Sequence, residues 1–188
     1  MMMNRAVFLD RDGTIIEDRN FICRTEDVQL LPRAAGALRL LERAGYMLFI
    51  VTNQSGVGRG LFTIEDVNRL NDHLCRILAD RTVTIHGVFA CPHHPDDGCT
   101  CRKPSPQSIL AAAKSHRIDL AQSYMIGDRL SDVQTGKNAG CIPILVETGL
   151  GKDTLAKSAD QLRDILVMPD LAAAARRIVK SRTTAVAA

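Results

Sequence analysis

Short, continuous apolar runs alternate with longer stretches whose apolar residues recur at helical spacing, and the alternation persists along the chain. The runs at 6–9, 46–51, 85–90, 123–126, 142–146 and 165–168 have the length and continuity of strands buried on both faces. Between them, 33–44 carries Leu38, Leu40 and Leu41 in a helical pattern with Gly45 as a stop. Thr63 and Asp66 form a capping-box pair for a helix reaching about Asp80. Ser105-Pro106 is an N-cap and first-turn pair for a helix ending at His116. A further helix ends near Gly140, and Asp170 caps a last one over 171–180. This alternation predicts an α/β fold, a Rossmann-like three-layer sandwich with a mostly parallel central sheet.

The 188 residues suit one domain, and no repeat or low-complexity segment divides them. A single domain over 1–182 is expected, with a frayed tail at 183–188. The composition, 46% hydrophobic and 24% charged, is that of a folded globular chain. No apolar run approaches the ~20 residues of a membrane helix, and no export signal is visible, so a cytoplasmic location is expected. The net charge of +3, 4% aromatic residues and a single dense basic run (Arg176, Arg177, Lys180, Arg182) argue against a nucleic-acid partner. No helix shows a spare apolar face, and a monomer is expected.

Ligands of parallel sheets bind at the carboxyl ends of the strands. Four polar clusters fall there: 10–14, 52–55, 102–103 and 128–132. Asp10 and Asp12 stand two positions apart as the first strand ends, so an extended chain points both carboxylates to one side, and Gly13 permits a sharp departure. An Asp-Gly turn accounts for one of these acids but not for both. The pair suits phosphoryl transfer, in which one carboxylate attacks phosphorus and the other protonates the departing alkoxide and later takes a proton from water. Asp128 would complete a Mg²⁺ site of hard oxygen ligands. Lys103 supplies positive charge and Thr52 a hydroxyl donor for the phosphoryl oxygens. Asp132 reads equally as a group that orients its neighbours and as an acid complementing a helix N-terminus.

Of six cysteines, Cys91, Cys99 and Cys101 crowd beside His93 and His94. With no export signal, the group reads as metal ligation, and three thiolates with one imidazole suit a closed, structural Zn²⁺. Cys99 and Cys101 are too close in sequence for an easy disulfide. Arg102 and Lys103 follow Cys101 directly, so a metal that ties down the 91–101 loop also aims those two cations. The Gly56-Val57-Gly58-Arg59-Gly60 stretch lacks dinucleotide-binding spacing. It is instead a loop beside the site.

Asp10-Arg11-Asp12-Gly13-Thr14, Thr52-Asn53-Gln54-Ser55-Gly56, Arg102-Lys103-Pro104 and Gly127-Asp128-Arg129 with Asp132 together resemble the four ordered motifs of the haloacid dehalogenase phosphatases. The resemblance spans most of the chain. It implies Asp10 as nucleophile, Asp12 as acid/base, Thr52 and Lys103 on the phosphoryl group, and Mg²⁺ held by Asp10, Asp128 and the Asp12 carbonyl. It also implies Zn²⁺ on Cys91, His93, Cys99 and Cys101, since Cys-x-His matches the family pattern. The intervals between motifs leave no room for the cap domain that many relatives carry, so the site is expected to be open.

The zinc loop with Asp-Arg-Asp-Gly-Thr is similar to two branches of that family. One acts on a heptose bisphosphate, in making nucleotide-activated heptose for lipopolysaccharide core or glycan, and the other on histidinol phosphate. The Glu-Pro-Pro that usually follows in the histidinol branch is replaced by Ile15 to Ile22, where Asp18 and Phe21 match the heptose branch. That resemblance implies a small sugar bisphosphate as substrate, met by Asp18, Arg19, Asn20 and Phe21. Asn53, Gln54, Ser55, Arg59, Arg102 and Arg129 are the further substrate contacts it implies. Packing of Phe21 onto the domain is the alternative for that side chain. The reading from another class is a catalytically silent, zinc-stabilised binding module, which loss of Asp10 or Asp12 would have favoured; both are present.

Overall fold

The computed structural model describes residues 3–186, with side chains through 181. Its centre is a 6-stranded sheet built from β1 (Arg5–Leu9), β2 (Tyr46–Asn53), β3 (Gly87–Cys91), β4 (Tyr124–Gly127), β5 (Ile142–Val146) and β6 (Leu166–Met168). The spatial order is β3-β2-β1-β4-β5-β6, and every pairing is parallel. Each crossover carries a helix, as parallel neighbours require.

Period-two alternation along the strands decides the layers. Val7, Leu9, Leu48, Ile50, Ile126, Ile144 and Val146 face one side, where α1 (Ala34–Arg43), α2 (Ile64–Ala79) and α6 (Leu171–Val186) cover them. Ala6, Phe8, Phe49, Val51 and Met125 face the other, against α3 (Gln107–His116) and Ala139 of α4 (Leu130–Ala139). The result is the expected three-layer, Rossmann-like sandwich. Only a 3-10 turn and α1 separate β1 from β2, and only α2 separates β2 from β3, so no cap domain is inserted there.

Several local signals act as the sequence indicates. Thr63 Oγ1 accepts from Asp66 N at 3.2 Å while Asp66 Oδ2 accepts from Thr63 N at 2.8 Å, a reciprocal cap on α2. Asp170 Oδ1 accepts from Ala173 N at 2.7 Å at the start of α6. Other boundaries differ. The strand expected from position 85 begins at Gly87, and α3 starts at Gln107 with Pro106, not Ser105, at its N-cap. A short helix, α5 (Gly151–Lys157), has no counterpart in the sequence reading, because it is brief and mostly polar. The last helix runs beyond Lys180 to Val186, into the expected tail; positions 187–188 lie outside the described residues.

Register fixes where the chemistry falls. Leu9 stands opposite Ile50 on one side and Ile126 on the other. Asp10, Thr52 and Asp128 therefore leave the sheet together at its carboxyl edge, and β1, at the centre, delivers the first of them.

Candidate active site

Asp10 follows the last residue of β1, and its amide donates to Ile126 O at 2.9 Å, so the turn is pinned to β4. The side chain is buried, and its Oδ1 accepts from Lys103 Nζ at 2.8 Å. The same ammonium donates to Val51 O at 2.8 Å and lies 2.6 Å from Asp132 Oδ1. Burial raises the pKa of Asp10, Lys103 opposes that rise, and Asp132 adds to it. Burial works against the charge of Lys103, but the two carboxylates outweigh it and hold the ammonium above the usual lysine range. Lys103 is thus a fixed, fully ionised cation against Asp10.

Lys103 is held by its backbone as well. Asn53 Oδ1 accepts from Lys103 N at 3.0 Å, and Asn53 Nδ2 donates to Lys103 O at 3.2 Å. The end of β2 thereby clamps the lysine from both peptide groups. Asn53, expected as a substrate contact, lines the cavity and does this second work too.

Asp12 does not simply repeat Asp10. Its carboxylate meets the buried guanidinium of Arg11, with Nη2 to Oδ2 at 3.1 Å, and Oδ2 accepts from Gln54 Nε2 at 2.9 Å. Gln54 donates as well to Thr52 Oγ1 at 2.8 Å, which leaves the Thr52 hydrogen free to serve an oxygen in the cavity. Burial raises the pKa of Asp12, Arg11 opposes this, and Asp10 reinforces it. A carboxyl with raised proton affinity suits an acid that must give and retake a proton.

Asp128 leaves β4 beneath Gly13. Its Oδ2 accepts from Leu150 N at 2.7 Å, and Thr154 Oγ1 donates to its carbonyl at 2.9 Å. Thr148 Oγ1 donates to Gly13 O at 2.6 Å, joining the two loops. Asp128 Oδ1 is buried without a partner. Burial first, then the Asp10 and Asp132 charges, push Asp128 up to about 8. Ligand oxygens of Asp10, Asp128 and Asp132 lie within 4.8 Å of one another. An orphaned carboxylate oxygen among buried acids fits a hard divalent cation.

Asp132 takes both roles that its sequence position suggests. Its Oδ2 accepts from Arg129 N at 2.9 Å, capping α4, while Oδ1 faces Lys103. The side chain of Asp12 is turned to Arg11 and Gln54, so only its carbonyl remains for the metal contact implied by the family.

A cavity of about 320 Å³ opens over these groups. It is lined by Asp10, Asp12, Thr52 and Lys103, and by Asp18, Asn20, Phe21, Asn53, Gln54, Ser55, Arg59, Arg102 and Arg129. Arg19 falls outside it. The Arg19 guanidinium turns to Glu17 at 2.8 Å, just before the chain bends at Asn20 and Phe21, both at positive φ. Asp18 builds that bend: Oδ1 accepts from Asn20 N at 3.1 Å and Oδ2 from Arg129 Nη2 at 3.0 Å. Phe21 is 49% exposed, so it borders the cavity rather than packing onto the domain. Arg102 Nη1 is buried without a partner at the same wall.

Beside Arg102, the Cys91, Cys101 and Cys99 sulfurs approach one another at 3.2, 3.6 and 3.8 Å, and His93 Nδ1 lies 3.2 Å from Cys101 Sγ. Tetrahedral coordination at about 2.3 Å gives sulfur edges of about 3.8 Å, so the four donors fit one metal ion. His94 is otherwise engaged: its Nδ1 accepts from Asp96 N at 3.3 Å and its amide donates to Asp97 Oδ2 at 2.8 Å. Gly58 N donates to Pro92 O at 2.8 Å, and a Cβ there would come within 2.3 Å of His94 N. The glycine loop therefore braces the Cys/His loop through backbone contact.

Sequence reasoning missed Arg11, Asn71, Thr148 and Leu150. Arg11 and Asn71 are far apart in sequence, and the Thr148 to Leu150 turn carries only backbone and hydroxyl contacts. Arg11 lies inside the first motif without a role of its own there, and no motif marks the other three.

Comparison with known proteins follows the same lines. Residues 100–174 match a family model described as HAD-hydrolase-like. A D-glycero-beta-D-manno-heptose-1,7-bisphosphate 7-phosphatase of Bordetella bronchiseptica is 38% identical over 177 residues, covering 94% of this chain and 98% of the relative. The enzyme of that name from Escherichia coli K12 is 40% identical over 152 residues, covering 77% and 80%. A crystal structure of the B. bronchiseptica phosphatase complexed with magnesium and phosphate superposes with a TM-score of 0.87, covering 94% of this chain and 99% of that one. The D,D-heptose 1,7-bisphosphate phosphatase of Burkholderia thailandensis, 31% identical, gives 0.69, with coverage of 94% and 99%.

Proposed function

The chain belongs to the heptose-1,7-bisphosphate 7-phosphatase family of haloacid dehalogenase-like hydrolases, and from that membership we infer that it is a phosphoric monoester hydrolase removing the 7-phosphate of D-glycero-D-manno-heptose 1,7-bisphosphate. One observation supports the chemistry above all others. Asp10, paired with Lys103, and Asp12, paired with Arg11, border one cavity from adjacent turns of the same strand end.

An Asp10 carboxylate oxygen attacks the phosphorus of the 7-phosphate, and the bond from phosphorus to the sugar oxygen breaks. The Asp12 carboxyl gives its proton to that departing oxygen, which would otherwise leave as a costly alkoxide. Lys103 and the Thr52 hydroxyl hold the phosphoryl oxygens as charge redistributes among them. A water then attacks the aspartyl-phosphate, its proton passes to the Asp12 carboxylate, and the bond to Asp10 breaks to release inorganic phosphate. Asp10, Asp128 and the Asp12 carbonyl would hold a magnesium ion, whose charge would offset the repulsion between Asp10 and the phosphate.

The Cys91, His93, Cys99 and Cys101 group holds a structural Zn²⁺ in this reading, since it has no open position and its loop has little apolar content. That ion fixes Arg102 and Lys103 against the substrate. Arg59 and the unpartnered Arg102 Nη1 meet the second phosphate. A cytoplasmic monomer feeding nucleotide-activated heptose synthesis is the setting this reading assigns.

Phosphorus NMR of the bisphosphate, with zinc-replete protein and Mg²⁺, tests the reading. The 7-phosphate signal is expected to convert to inorganic phosphate while the 1-phosphate persists, with Asp10→Asn inert. Loss of the 1-phosphate first, or turnover by Asp10→Asn, would contradict it.

A further inference from the structure

The apolar face of α2 is interrupted at one buried position. Val67, Leu70, Leu74 and Leu78 are buried at helical spacing, and Asn71, 5% exposed, stands among them. Its Oδ1 accepts at 2.8 Å from Nη1 of Arg11, which is wholly buried. The rest of that guanidinium turns to the next residue's carboxylate. Nε lies 3.2 Å from both Asp12 oxygens, and Nη2 lies 3.2 Å from Oδ1 and 3.1 Å from Oδ2.

Packing alone does not explain this arrangement. A guanidinium removed from water is costly, and an apolar side chain of similar volume generally serves a core as well or better. Nor does neutralising Asp12 require Asn71, which touches the far end of the guanidinium. What Asn71 adds is a third fixed point. With Nη1 anchored on α2 and Nε and Nη2 on Asp12, the plane of the guanidinium is set, and with it the tilt of the Asp12 carboxylate. Gln54 Nε2 holds Oδ2 from another direction at 2.9 Å. The carboxylate is thus gripped from the core while it borders the cavity.

We propose that Arg11 and Asn71 are positioning residues that aim the Asp12 carboxyl at the leaving oxygen of the substrate. The inference rests on the phosphatase reading above. Its signature lies in the leaving group. A sugar oxygen must be protonated as its bond to phosphorus breaks, so a misaimed donor slows that step. A nitrophenolate departs as a stable anion and does not need the proton. Since kcat/KM covers only the steps through ester cleavage, the later base role of Asp12 does not enter the comparison.

The test is Asn71→Leu, which keeps the branched shape and removes the acceptor, with kcat/KM measured on heptose 1,7-bisphosphate and on p-nitrophenyl phosphate. The sugar ester is expected to lose about tenfold or more and the aryl ester less than about threefold. Asn71→Asp, which keeps the acceptor oxygen, is expected to retain the wild-type ratio. Should Asn71→Leu not fold, Arg11→Lys keeps the charge, loses the fork, and is expected to give the same selective loss. Parallel losses on both esters, or none on either, would overturn the proposal. A wild-type protein that cleaves neither ester with Mg²⁺ would overturn the phosphatase reading itself.

Discussion

Lys103 Nζ donates to Asp10 Oδ1 at 2.8 Å with both side chains almost wholly removed from solvent. The two come from the first and third of the four clusters, one following the first strand and one lying just beyond the Cys/His loop. Removing the cation leaves Asp10, Asp128 and Asp132 as a cluster of buried acids. Lys103→Met is therefore expected to lower kcat by about 10²-fold or more and stability by about 3 kcal/mol or more. Steady-state kinetics with denaturant melts check both. Turnover within a few fold of wild type would contradict the assignment of Lys103.

In the proposed magnesium site, Asp128 would make metal affinity depend on pH. In the metal-free protein its pKa is pushed up to about 8, from an ordinary carboxylate value of 3.8. The folded chain thus holds this proton more tightly than the unfolded chain. The stability that Asp128 contributes is complete below about pH 4 and lost as pH rises through about 8. Magnesium takes the proton's place. Thermal stabilisation by excess Mg²⁺ should grow between about pH 5 and pH 8 and then level, and Asp128→Asn should flatten that slope. Stabilisation that shrinks as pH rises would count against Asp128 as the ligand.

Gly13 lies at φ +79°, and a Cβ there would come within 2.3 Å of Asp128 Oδ2. Gly13→Ala combines backbone strain with displacement of the buried Asp128 carboxylate, so stability should fall by more than about 1 kcal/mol. Mg²⁺ titration should show weakened binding as well. Unchanged Mg²⁺ affinity would show that the close approach has no bearing on the metal.

The catalytic frame was legible in the sequence because each of its parts ends a short apolar run. Asp10 follows β1, Thr52 lies near the end of β2, and Asp128 follows β4, and a parallel sheet brings such ends together. The Cys91 to Cys101 cluster was legible from spacing alone. Contacts that close across the fold were not. Arg11 meets Asn71 on the buried, otherwise apolar face of α2, and Leu150 meets Asp128 through a backbone N–H that no side chain announces. Arg19, expected to meet the substrate, turns to Glu17 beside a bend at Asn20 and Phe21 that the sequence does not announce. Short α5 has too few apolar positions to show a helical period.

The Cys/His loop is expected to hold one zinc per chain, measured by elemental analysis of purified protein. Stripping it with a strong chelator, or Cys99→Ser, should lower turnover by about tenfold or more, because Arg102 and Lys103 follow the last ligand directly. Full activity in zinc-free protein would remove the loop from the mechanism.

Substrate choice separates the heptose reading from the histidinol alternative. The most direct measurement is phosphate release by the zinc-replete protein with Mg²⁺ on both anomers of heptose 1,7-bisphosphate and on histidinol phosphate, side by side. The expected result is a kcat/KM at least about tenfold higher on one heptose anomer than on histidinol phosphate, a margin of about 1.4 kcal/mol in transition-state stabilisation. A preference for histidinol phosphate would leave Asp10, Asp12 and Lys103 in place but contradict the assigned substrate and the role of the Asp18 to Phe21 flap.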